Sequence, residues 1–228
     1  MRVALFDIDG TLLDSLGAGR RAMEAALVET FGTPGPADYR YDGKTDRQIV
    51  REQMREAGHD DAAIDARMDE VFARYLAGLA DEVAAGTVRR LAGVAEVLDA
   101  LEPREDVVLG LLTGNVAEGA AVKLRAAGLA VERFVVCAYG SDHESRLELP
   151  GIARQRAVRR LGRDVGAEQL VIIGDTPLDI ACAHHGGARA VAVGTGHYSV
   201  ETLAEHAPAR VLADLADAER AVEAILRA

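Results

Sequence analysis

The chain has 228 residues, 49% hydrophobic and 28% charged, enough apolar material for one large globular domain or two modest ones. Its net charge of −11, with no Lys/Arg-rich run, excludes nucleic acid and anionic membrane as expected partners. No apolar stretch approaches the ~20 residues that span a bilayer, and Asp7 interrupts the N-terminal MRVALFDID before a secretory apolar region can form, so the expected compartment is the cytoplasm.

Residues 2–7 open the chain as an apolar strand that stops on a carboxylate, and Asp9 follows two residues later. Residues 16 to about 90 then carry no strand pattern. RRAMEAALVETFG, TDRQIVREQMREAG and DAAIDARMDEVFARYLAGLADEVAAG read as three helices, the second opening on the capping box Thr45-Asp46-Arg47-Gln48. So much helix exceeds a single crossover. The spacing predicts a small helical domain at 16–86, inserted into a core made of 1–15 and 87–228.

Four further apolar runs follow, at 107–112, 134–138, 170–174 and 189–193. They are continuous rather than alternating, the pattern of strands buried on both faces of a parallel sheet. AEGAAVKLRAAG and GIARQRAVRRLG lie between them as helices, each closing on a glycine suited to a left-handed cap. The expected class is α/β: an open, Rossmann-like parallel sheet with right-handed crossovers. Cys137 and Cys182 sit in apolar segments and are expected as buried thiols, not as a disulfide.

Three of these strands end in polar clusters. Asp7 and Asp9 close the first, Thr113-Gly114-Asn115 the second, and Gly174-Asp175-Thr176 the fourth. Open α/β sheets bind ligands at the carboxyl ends of their strands. Helix capping explains part of this: Asn115 with Glu118, and Thr176 with Pro177 and Asp179, both have N-cap spacing. It does not explain Asp7 or Asp175, which precede any cap. A calcium loop fails as well, because its sixth-position glycine and twelfth-position glutamate are missing. Acidic strand ends with a nearby hydroxyl point to a metal and phosphate site.

The motifs DIDGT, LLTGN and GDTPLD, in that order, resemble the haloacid-dehalogenase-like superfamily. The helical insertion after the first motif resembles its type-one cap, as in phosphoglycolate phosphatase-like members. The resemblance implies a phosphatase acting on a small phosphorylated metabolite, phosphoglycolate-like or a sugar phosphate, as a monomer or homodimer. Asp7 would be the nucleophile, forming an aspartyl-phosphate, and Asp9 the general acid and base. Mg²⁺ would bind Asp7, the Asp9 backbone carbonyl and Asp175. Gly10, Thr11, Thr113, Gly114 and Asn115 would hold the phosphoryl group, and Asp179 would support the metal shell or the basic residue.

The third-motif lysine of the family has no counterpart in SDHESRLELPGIARQRA. Arg146, in the loop before the helix, is the expected replacement, with Arg154 the alternative. Lys123 lies eight residues past Asn115, ~12 Å along a helix leading away, and is set aside on that distance. Lys44 of the YDGKTD loop is the expected insertion residue reaching the substrate. Asp9 separates the chain from dehalogenases, since an alkoxide needs an acid that a halide does not. Two alternatives remain: a phosphomutase of the same superfamily, disfavoured by LLDSLGAGRR after the first motif, and a non-catalytic nucleotide- or protein-binding member.

Overall fold

The first strand, β1 (Arg2–Phe6), is apolar on both faces and becomes the centre of the sheet. In the computed structural model, which describes residues 1–228, it pairs in parallel with β4 (Val107–Leu112) on one side and β6 (Leu170–Gly174) on the other. The full order is β5-β4-β1-β6-β7-β8, with β5 at Val136–Ala138, β7 at Arg189–Val193 and β8 at Arg210–Leu212. Every pairing in this sheet is parallel. The chain builds outward from β1 to β4 and β5, then returns to build β6, β7 and β8 on the other side. The topological switch therefore falls beside β1, where such sheets open a crevice at their carboxyl edge.

Alternation within β1 shows how both layers form. Ala4 and Phe6 face a cluster closed by α4 (Val94–Leu101), α5 (Ala117–Ala126) and α9 (Ala218–Leu226). Val3 and Leu5 face a second cluster with α6 (Leu149–Leu161), α7 (Pro177–His185) and α8 (Val200–Glu205). Burial of Val3, Leu5 and Phe6 contributes about 1.5–3 kcal/mol each, so β1 is held from both sides with little freedom to shift. The register sets Phe6 opposite Ile173 and Leu111, which brings the ends of the three strands level.

The helices α1 (Ala18–Phe31), α2 (Asp46–Glu56) and α3 (Asp61–Ala84) fill the segment without strands. They pack around their own apolar cluster of Met23, Leu27, Ile49, Met54, Ile64 and Leu79, joined by Val116 next to α5. The chain enters and leaves this region through a two-stranded antiparallel ribbon, β2 (Leu13–Asp14) with β3 (Arg89–Arg90). Thr45 caps α2 by accepting from the Gln48 amide at 3.1 Å, but the Gln48 side chain turns to Glu52 instead of completing the capping box.

Several sequence expectations change. The ribbon, β8, α4, α8 and α9 are additional elements, and β5 begins at Val136 rather than 134. Both cysteines are free, with Cys182 buried and Cys137 only half-buried; burial pushes the Cys182 thiol up to about 12. No helix is long and apolar enough to cross a membrane.

Candidate active site

Asp7 is the first residue beyond β1, and its amide still donates to Ile173 at 2.8 Å. Asp175 stands one residue past β6, so the register delivers both carboxylates to one point. With Asp179 they form a group of three buried acids whose oxygens lie within 4.8 Å of one another. Arg146 enters from the turn before α6. Its Nη2 is 3.2 Å from Asp7 Oδ2 and also bonds Asp179 Oδ1. Burial pushes Asp7 up to about 6 against the pull of Arg146, with Asp179 adding repulsion. Burial, with the Asp179 and Asp7 carboxylates adding repulsion, raises Asp175 well above the carboxylate range.

One guanidinium cannot neutralise three desolvated carboxylates, so this cluster is short of positive charge. Its donors are hard oxygens, the set that suits Mg²⁺. Asp175 accepts from Thr11 Oγ1 at 3.0 Å through Oδ1. Its Oδ2 lies against the Cα positions of Gly10 and Gly196, where any Cβ would collide with it. Gly10 also has φ +77°, a conformation only glycine adopts without strain. A divalent cation fits these residues. Asp179 has both oxygens engaged, one on Arg146 and the other on the amide and hydroxyl of Thr176. It therefore positions Arg146 and caps α7, both of the uses its sequence position suggested.

Asp9 meets a different environment. Its Oδ2 takes Lys123 Nζ at 2.7 Å and Asn115 Nδ2 at 2.9 Å, and its Oδ1 takes Ser15 Oγ at 2.8 Å. Desolvation opposes ionisation, yet the Lys123 ammonium and these three hydrogen bonds hold the Asp9 carboxyl below its usual value. Lys123 is thus a site residue, contrary to the distance argument that set it aside. The helix starts at Ala117, leaving about 9 Å of rise to Lys123. Helical side chains point back toward the N-terminus, and a lysine spans ~6 Å of that. Lys123 also donates to Asn115 Oδ1 at 2.7 Å.

Asn115 is not the cap of α5; that place is taken by Val116, which has no side-chain cap. Asp46 of the helical insertion supplies the missing acceptor, its Oδ2 lying 2.8 Å from the Val116 amide. Burial pushes Asp46 up to about 6, with the Lys123 ammonium opposing. Thr113 is fully buried and its Oγ1 accepts from the Asn115 amide at 3.3 Å and from Asn115 Nδ2 at 2.9 Å. The loop at Lys44 and Thr45 passes so close over Gly114 that a Cβ there would strike the Lys44 carbonyl, and the Asp46 amide donates to Gly114 at 2.8 Å.

Lys44 lines the cavity, but its ammonium is turned onto Glu52 at 2.7 Å and the Tyr39 hydroxyl at 2.9 Å. Arg154 points elsewhere, to the Val165 carbonyl at 2.7 Å. The acids flanking Arg146 in sequence take other partners, Glu144 with Arg51 at 2.7 Å and Glu148 near His185. His197 lies 2.9 Å from Asp42 across the cleft.

Residues 4–184 match the model of the haloacid dehalogenase-like hydrolase family. The chain belongs to that family. A phosphoglycolate phosphatase from Rhodospirillum rubrum is 30% identical over 223 residues, 94% of this chain and 88% of the relative. A 5'-nucleotidase from Pseudomonas aeruginosa is 27% identical over 222 residues, 96% of this chain and 94% of that one. Among solved structures, a hydrolase from Pseudomonas syringae superposes with a TM-score of 0.76 at 21% identity, covering 98% of each chain. In this member of the family the acidic strand ends and Arg146 form the floor of the cleft, and the helical insertion roofs it.

Proposed function

We propose that this phosphatase hydrolyses a small phosphate monoester through an aspartyl-phosphate on Asp7, with Mg²⁺ as its cofactor. The observation that carries the reading is the meeting of Asp7, Asp175 and Arg146 at one edge of the sheet. Asp7, Asp175 and the Asp9 backbone carbonyl would hold the ion, which when bound screens the nucleophile from the phosphate charge and orients both.

In the first half-reaction an Asp7 oxygen bonds to phosphorus while the bond from phosphorus to the ester oxygen breaks, and Asp9 gives a proton to that oxygen. The incoming phosphate dianion favours a proton on the neighbouring Asp9. In the second, Asp9 takes a proton from water, whose oxygen attacks phosphorus and frees Asp7 and inorganic phosphate. Arg146 faces the transferring oxygens with a guanidinium suited to anions, and Thr113 with Gly114 borders the same place. Helices α1–α3 act as a cap that excludes water, docked through Asp46, Thr45 on the Glu144 carbonyl at 2.6 Å, and Arg51 on Glu144. The names of the relatives leave a carboxylic and a nucleoside leaving group both open. Two free thiols suit the cytoplasm proposed for it.

The test is phosphate release from a panel of phosphorylated metabolites, with Mg²⁺ and with chelator, repeated with Asp7→Asn. Turnover should vanish in both controls; turnover that survives either one sinks the mechanism.

A further inference from the structure

The cavity above the acidic edge measures about 790 Å³, the size of a site for a drug-sized ligand rather than for a two-carbon acid. Four basic side chains line it: Arg20, Lys44, Lys123 and Arg146. None arrives without a carboxylate. Arg146 is held by Asp7 and Asp179, and Lys123 by Asp9. On the side of the insertion, Arg20 Nε lies 2.7 Å from Glu24, and Lys44 is drawn away by Glu52.

Glu52 is itself fixed. Besides Lys44 it accepts from the Tyr39 hydroxyl at 2.6 Å and from Gln48 Nε2 at 2.7 Å, while the Lys44 ammonium rests 4.0 Å from the centre of the Tyr39 ring. The remaining charges on this side are acidic. Asp42 and Asp46 both line the cavity, each with one oxygen engaged, by His197 and by the Val116 amide.

We propose that the substrate's leaving group is uncharged and bears hydroxyls, as in a nucleoside or monosaccharide monophosphate, and that Glu52 enforces this by holding Lys44 away from a second anion. The inference rests on the phosphatase reading and narrows it. A carboxylate or second phosphate on the leaving group would meet no cation free of a partner, and would have to displace Glu24 or Glu52 from its base. Hydroxyl groups, by contrast, donate to the free oxygens of Asp42 and Asp46, which a carboxylate or phosphate group, having no donor, cannot do.

The experiment compares kcat/KM for adenosine 5'-monophosphate, ribose 5-phosphate and phosphoglycolate with Mg²⁺, using p-nitrophenyl phosphate as a generic ester. At least one of the first two should exceed phosphoglycolate by about tenfold or more, and whichever leads distinguishes nucleoside from sugar. Glu52→Gln, which releases Lys44, should narrow that ratio about fivefold, chiefly through a lower KM for phosphoglycolate. Phosphoglycolate matching or beating both neutral-leaving-group esters overturns the proposal without help from the variant, and so does an unchanged ratio in a folded Glu52→Gln protein. Failure to cleave any of the four esters would instead sink the phosphatase reading itself.

Discussion

Asp7 and Asp9 leave the same strand two residues apart and arrive in opposite electrostatic company. Around Asp7 three buried carboxylates share one guanidinium. Around Asp9 one carboxylate faces one ammonium, with Asn115 and Ser15 completing its hydrogen bonds. The first group is complete only with an added cation; the second is complete within the protein. Two like charges at a strand end are thus separated by giving each its own counter-charge, and the shortfall at one of them is the place proposed for the metal.

The largest effect that would break this contrast comes from Arg146→Ala. It strands Asp7 and Asp179 without their partner, and should cost about 3–5 kcal/mol of stability and on the order of 10³-fold in kcat. Arg154→Ala, on an exposed arginine whose Nε meets only a backbone carbonyl, should stay within about 1 kcal/mol. Thermal melts and initial rates compare the two directly, and the reverse order would move the role to Arg154.

Lys123→Met tests the balanced side. Asp9 loses its ammonium while the side-chain volume is kept, and kcat should fall about 10²-fold with a smaller rise in KM. An unchanged kcat would mean that Asp9 is oriented by Asn115 and Ser15 alone.

Asp46 supplies a pH-dependent check beside the same ammonium. Burial lifts its folded value to about 6, above the usual 3.8, so the folded chain takes up this proton before the unfolded chain does. Stability from this group therefore rises as pH falls from above 6 toward 4, and ionisation at neutral pH costs about 3 kcal/mol. Denaturant melts of Asp46→Asn should show that part of the pH dependence flattened; a profile identical to wild type would contradict the burial of this carboxyl.

The smallest effect separates the two clusters most sharply. Without added metal, Asp175→Asn removes one of three repelling charges and should be as stable as wild type or better by about 1 kcal/mol. Asp9→Asn breaks a satisfied pair and should be less stable by a similar amount. Saturating Mg²⁺ should then stabilise wild type by about 2–3 kcal/mol and Asp175→Asn hardly at all. Equal stabilisation of both proteins would place the ion elsewhere.

What the sequence made legible follows from how far each signal reaches. Strands β1, β4, β6 and β7 are buried on both faces, so they stand out as unbroken apolar runs, and an acid directly after such a run has no structural excuse. That sufficed to bring Asp7 and Asp175 together at one edge of the sheet. The two-residue ribbon and three-residue β8 are too short to carry any period. Asn115 had the spacing of a cap, but its side-chain amide is claimed by Asp9 from a distant segment and by Thr113 two residues before it. Lys123 was lost because helical rise alone ignores a long side chain leaning back along the axis. Asp46 looked like an ordinary first-turn residue of α2. Its part in closing α5 exists only once the two helices are docked, which no local pattern records.

The ribbon of β2 and β3 has a consequence for how this chain can be rebuilt. Asp14 pairs directly with Arg89, so the two ends of the intervening stretch stand about 5 Å apart, the separation of antiparallel neighbours. A tight turn could join them, and the sheet with its edge of carboxylates would stay as it is. The side chains proposed to read the leaving group sit on this stretch, while Asp7, Asp9, Thr113, Arg146 and Asp175 belong to the remainder. Exchanging the stretch is a route to new substrates that leaves the chemistry in place.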